Sequence, residues 1–303
     1  MLFIVAGALL LAIMALALLV WYGVDQVTRR PPPDPPATPA DFSLPFEDAT
    51  FTSRDRTTLR GYWIPPKDSA CKAAVVICPG REGSLDSDLS YTVPLWTAGY
   101  GVLIFDWRAH GRSEGRAITL GYRERDDLRA ALDWLSTRGV ERVGLLGLSM
   151  GGATAIGVAA DDARVAAVVA DSTFAEVKTV ILGGLRERYV RNRFAYPLAS
   201  LVIFGISWQA GGSVSSADPL HVVSRVAPRA LLLIHGAQDP YVPMDSIFRL
   251  YRTARSPKEL WVVPEASHRE SAAMRPREYW ARIMTFFTEW LPLESEIAPQ
   301  ESV

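Results

Sequence analysis

Two hydrophobic regimes divide the chain. From Leu2 to Tyr22 the sequence is apolar with no charged side chain, enough for the roughly 20 helical residues that cross a bilayer core. Beyond Phe46 the apolar residues fall instead into short runs separated by turn residues and helical patterns. Phe46 to Ser53 and Thr58 to Ile64 alternate about Arg54-Asp55-Arg56 and predict a hairpin. Apolar runs at Ala73, Gly101, Arg142, Val165, Ala230 and Leu260 then alternate with helical stretches, the last from Glu278 to Leu291. This pattern predicts an α/β domain with a mainly parallel central sheet and helices on both faces. From about Ala175 to Ser216 the repeat is interrupted by an excursion that reads as a small helical cap.

The N-terminal run is read as a retained single-pass transmembrane helix rather than a cleaved signal peptide. No Lys or Arg precedes it, it is longer than an ordinary signal core, and the small-residue stretch Ala15-Leu16-Ala17 lies inside it. Trp21 and Tyr22 close it with rings that favour the lipid boundary. Arg29 and Arg30 follow it, which by the positive-inside tendency places the following domain in the cytoplasm. Pro31 to Pro39 predicts a stiff spacer of up to about 28 Å at roughly 3.1 Å per residue, holding the domain near the membrane without pressing it in. The expected divisions are an anchor at 1–24, a Pro-rich linker at 25–40, a domain at 41–292 with its cap at about 175–216, and a tail at 293–303.

Composition narrows the chemistry. Lys and Arg number 32 against 33 acidic residues, so no basic field exists to gather nucleic acid. Cys71 and Cys78 flank a predicted strand about 23 Å long, far beyond the roughly 7 Å limit for a disulfide, and read as thiols. No two of the 4 histidines fall at helical ligand spacing and the 2 cysteines form no finger pattern, so no metal or cofactor is expected.

The chemistry-bearing stretch is Gly147-Leu148-Ser149-Met150-Gly151-Gly152. It lies between the strand-like Arg142 to Leu146 and a helical stretch from Ala153, so Ser149 sits where one converts into the other. Glycines on either side remove Cβ atoms that would collide at so tight an elbow, and the helix N-terminus behind the serine favours a developing oxyanion. A serine alkoxide at neutral pH needs a base, and the base needs a third group to fix its tautomer. His268 follows the apolar run Leu260 to Pro264, and Asp239 follows Ala230 to Ile234. Both therefore fall at the carboxyl ends of strands, on the edge expected for Ser149. His235 reads as a local turn residue, His110 as loop-shaping and His221 as a surface residue.

The order Ser149, Asp239, His268 resembles that of the α/β-hydrolase fold, and the resemblance runs from about Phe46 to Leu291. The chain is similar to membrane-anchored serine hydrolases of the monoacylglycerol-lipase-like and lysophospholipase-like kinds. Asp106-Trp107-Arg108-Ala109-His110-Gly111-Arg112-Ser113 resembles the family's Asp-x-Arg-Gly-x-Gly-x-Ser loop, with Ala109 where glycine is usual. Cys78-Pro79-Gly80-Arg81-Glu82-Gly83 occupies the place of the His-Gly-x-x-Gly oxyanion loop, with Pro79 for the histidine. The resemblance implies a catalytic triad of Ser149, His268 and Asp239 and an oxyanion hole from the Arg81 and Met150 N–H groups. It implies cleavage of acyl esters through an acyl-enzyme, with no cofactor. Tethering and the apolar stretch Leu198 to Trp208, too short to span a bilayer, favour lipid-like esters. That stretch reads either as a helix over the sheet edge, or as an acyl-chain wall or lipid-dipping surface. A peptidase or amidase on the same fold, and a non-catalytic membrane-anchored binding protein, are the alternatives.

Overall fold

The computed structural model describes residues 1–188 and 195–293. The expected tail at 293–303 and the middle of the cap therefore lie outside the described residues, except for Leu293.

Eight strands form one sheet: β1 Glu47–Thr52, β2 Thr58–Ile64, β3 Ala73–Cys78, β4 Gly101–Phe105, β5 Arg142–Leu148, β6 Val165–Asp171, β7 Ala230–Gly236 and β8 Lys258–Val263. Their spatial order is β1-β2-β4-β3-β5-β6-β7-β8. The first two are antiparallel to their neighbours and the remaining six run parallel. β3, β4 and β7 are buried at every position, because helices cover both faces and leave no polar side to alternate with. β1, at the open edge, alternates instead.

The helices are α1 Leu2–Thr28, α2 Thr92–Thr97, α3 Glu124–Thr137, α4 Met150–Ala159, α5 Val177–Arg188, α6 Ala195–Ala210, α7 Met244–Thr253, α8 Ser271–Met274 and α9 Pro276–Trp290. Side chains of α3, α4 and α7, with Val202 and Ile206 of α6, join one face of the sheet in a single core. Leu95 of α2 and Tyr279, Ile283 and Phe287 of α9 complete a second core on the other face. This is the mainly parallel, doubly covered sheet of the α/β-hydrolase fold, with α5 and α6 lying in the stretch that the sequence reads as a cap.

The linker departs from the expected free-standing spacer. α1 runs to Thr28 rather than ending at 24, and the proline-rich segment lies along the domain. Arg30 donates to the carbonyls of Gly111 and Ser113, each at 2.8 Å. Asp34 accepts from the Ser84 N–H at 2.8 Å, and the Ala37 N–H donates to Asp86 at 2.9 Å. An extended proline-rich chain has no internal hydrogen bonds, and here the polar edge of the loop at residues 106–113 and the turn at 84–86 supply partners.

Candidate active site

The elbow is built by close approach. Ser149 has φ 53° and ψ −113°, and a Cβ on Gly147 would lie 2.5 Å from the Gly152 backbone. On Gly151 it would lie 1.9 Å from the Cys78 carbonyl. Only glycine lets β5, the start of α4 and the loop after β3 meet here. The Ser149 N–H donates to the Asp171 carbonyl at 2.8 Å, extending the parallel ladder to the turn itself.

Asp239 lies in the turn after β7, and His268 in the loop after β8. His268 Nδ1 stands 2.6 Å from Asp239 Oδ2, and His268 Nε2 stands 3.0 Å from Ser149 Oγ. The second Asp239 oxygen accepts the N–H groups of Tyr241 and Val242, both at 2.9 Å. That carboxylate has no exposed surface, so its orientation is fixed from both sides. With Asp239 accepting at Nδ1, Nε2 is left to accept from the serine. The Tyr241 ring meets the imidazole edge-on, centroids 5.5 Å apart.

Met150 N–H opens α4 directly after the serine, and Arg81 follows the loop that Gly151 touches. Neither N–H donates to an acceptor among the described residues, and both residues line the same cavity as Ser149 and His268. The loop is clamped from behind. Trp107 Nε1 donates to the Pro79 carbonyl at 2.9 Å, and the His110 ring lies 2.8 Å from both the Arg81 and the Arg108 carbonyls. His110 thus shapes the loop, in keeping with its sequence reading. His221 is exposed. His235 is fully buried, facing the Val242 carbonyl at 3.0 Å, and burial lowers its pKa.

Three features of the site carry little signal in the sequence. Arg269 pairs with Asp88 and donates its N–H to Ser172 Oγ at 3.0 Å, bracing the residue next to His268. Asp171, at the end of β6, is buried beneath the same loop; burial, opposed by the Ser172 and Tyr279 hydroxyls and Arg269, raises its carboxyl to about 6. The third is α1, whose residues 19–27 reach the cavity. The cavity measures about 290 Å³ and is mostly walled by apolar side chains, Phe174 and Ile181 among them. Among the described residues, no group of three or more His, Cys, Asp or Glu side chains gathers as a metal site.

Comparison with known proteins agrees with this architecture. A family described as alpha/beta hydrolase fold matches residues 73–203. YqkD of Bacillus subtilis, an uncharacterised protein, is 29% identical over 232 residues, 75% of this chain and 74% of its own length. YfhR of Escherichia coli, also uncharacterised, is 28% identical over 250 residues, 80% of each chain. The esterase Pf2001 of Pyrococcus furiosus matches with a TM-score of 0.72 at 26% identity, covering 87% of this chain and 98% of the esterase.

Proposed function

Because the chain belongs to the α/β-hydrolase superfamily, we propose that it is a membrane-anchored serine hydrolase that cleaves acyl esters of lipid-like, apolar character. The observation that carries this reading is the line from Asp239 through His268 to Ser149, at 2.6 and 3.0 Å. Ser149 Oγ attacks the acyl carbonyl as His268 Nε2 takes its proton, and Asp239 stabilises the imidazolium through Nδ1–H. The Arg81 and Met150 N–H groups receive the oxyanion of the tetrahedral intermediate, an arrangement in which each donor is worth on the order of 3 kcal/mol of barrier. Collapse expels the alcohol, which takes the proton from His268. Water, deprotonated by the same imidazole, then releases the carboxylic acid and restores Ser149.

Support for an ester with an apolar acyl group comes from the cavity walls and from the N-terminal apolar helix, which is long enough to span a bilayer. An esterase among the structural neighbours supports the reaction class. The test is a fluorophosphonate probe with a panel of acyl esters and short peptides. Labelling and ester turnover present in the natural chain and absent in Ser149→Ala are expected. Preference for peptides favours an amidase, and no labelling favours a binding protein.

A further inference from the structure

Helix α1 does two things along its length. Residues 3–18 are exposed, most of them heavily, whereas Val20, Val24 and Val27 pack against the domain core. The contact with α6 is close: a Cβ on Gly23 would lie 2.8 Å from Val202, and one on Gly205 would lie 2.6 Å from Val24. Small residues on both helices let the backbones approach, as at helix interfaces within membranes. The docked end is also tied by polar groups. Arg81 Nη1 donates to the Val27 and Gln26 carbonyls at 2.9 and 3.3 Å, and the Ile118 N–H donates to the Thr28 carbonyl at 2.8 Å. Arg81 thus holds the helix terminus with its side chain while its N–H belongs to the oxyanion loop.

The cavity beside Ser149 continues outward along this docked surface. It passes Val27 and Gly23 of α1 and Val202 of α6, and reaches Leu19. At 1.5 Å rise per residue, a span of about 30 Å beginning at Leu2 ends near Tyr22, so Leu19 lies at the depth of the lipid boundary. α6 points the same way. Val202 meets Gly23 and Gly205 meets Val20 and Val24, so its C-terminal turns run toward the apolar end of α1. Phe204 and Trp208 there are 68% and 82% exposed, a stripe suited to the interface.

Resting on the reading of Ser149 as an ester hydrolase, we infer that the membrane helix is itself a wall of the acyl site. The acyl chain of a lipid ester enters from the leaflet along the docked half of α1, with Leu19 at the mouth and Ser149 at the inner end. The anchor is then part of substrate recognition.

The full chain in detergent micelles is assayed with p-nitrophenyl butyrate and p-nitrophenyl dodecanoate. Leu19→Trp narrows the mouth, and Leu18→Trp places the same ring one residue away, outside the cavity. Each methylene bound in an apolar pocket is worth tenfold or more in discrimination, so the dodecanoate-to-butyrate ratio of kcat/KM is expected to fall by about tenfold in Leu19→Trp. Leu18→Trp is expected to keep the natural ratio. An unchanged ratio in Leu19→Trp, or an equal fall in both variants, overturns the inference while leaving the hydrolase reading intact. A natural chain that turns over neither ester and takes up no fluorophosphonate overturns both.

Discussion

The backbone at Ser149, with φ 53° and ψ −113°, lies outside the regions open to a residue with a Cβ, at a cost of order 1–3 kcal/mol. The surrounding glycine contacts impose it, and the result is a hydroxyl held toward His268. Ser149→Gly is therefore expected to stabilise the chain by about 1–2 kcal/mol, or ~2–4 °C in Tm, whereas Ser149→Ala, which keeps the strained Cβ, gains nothing; paired melting curves check the contrast. Asp239 offers one oxygen to His268 and the other to two backbone N–H groups. An amide cannot satisfy both the imidazole and the turn, so Asp239→Asn is expected to lower kcat by about 10⁴-fold with KM little changed, read by steady-state kinetics. Asp171 makes a different prediction. Its folded pKa is raised from 3.8 to about 6, so between those values the folded chain holds a proton that the unfolded chain has released. Stability from this group is complete below about 4 and is lost as pH rises through about 6, a span worth on the order of 3 kcal/mol for so buried a carboxyl. Asp171→Asn keeps an oxygen for the Ser172 hydroxyl. It is expected to be the more stable chain at pH 8 and to lose that advantage near pH 4, measured by denaturant unfolding at both.

At the scale of elements, the sheet was legible because its strands are short, apolar and separated by helices, a pattern set locally. Thr58 to Ile64 reads from the sequence with the same bounds that β2 takes. The elbow was legible for a related reason: glycines at 147 and 151 have no use there unless backbones nearly touch. The pairing of α1 with α6 left no such mark. Hydropathy scores Leu2 to Tyr22 as lipid-soluble throughout and does not distinguish a side chain facing lipid from one facing another helix. The prolines after it predict stiffness but not the neighbour they lie against, which is why the linker was expected to stand free. Arg269 and Asp88 are far apart in sequence, and each alone reads as an ordinary surface charge. The α1–α6 contact has a direct check. A Cβ on Gly23 would stand 4.0 Å from that of Val202, inside the range of about 3.5–4.5 Å for a disulfide. Gly23→Cys with Val202→Cys, in a chain carrying Cys71→Ser, is expected to cross-link on mild oxidation and to run as an altered band on a non-reducing gel. Leu18→Cys with Val202→Cys is expected to stay reduced, and cross-linking of both pairs alike would mean that α1 is not held in one register.

For the whole molecule, the apolar N-terminal helix and the α/β domain form one body rather than two joined by a tether, since the Thr28 carbonyl, the Arg30 side chain and the Ala37 N–H hydrogen-bond to Ile118, to the loop at 106–113 and to Asp86. Under the proposed anchoring, the formal net charge of −1 gives the domain no electrostatic attraction to an anionic lipid surface, and the docked helix sets its distance from the bilayer. We propose that the flanking charges set the side. Arg29 and Arg30, directly after the apolar run, support a cytoplasmic domain. A thiol reporter reads this without disturbing the site. Cys78 is fully buried and burial pushes its thiol well above the usual range, so it stays unreactive, and only Cys71 needs replacement. Ser69 sits on an exposed turn before β3. In a chain carrying Cys71→Ser and Ser69→Cys, a membrane-impermeant maleimide is expected to leave sealed cells unlabelled and to label the protein once the membrane is opened. Equal labelling in sealed cells puts the domain on the outer side and requires its substrate esters to come from the outer leaflet.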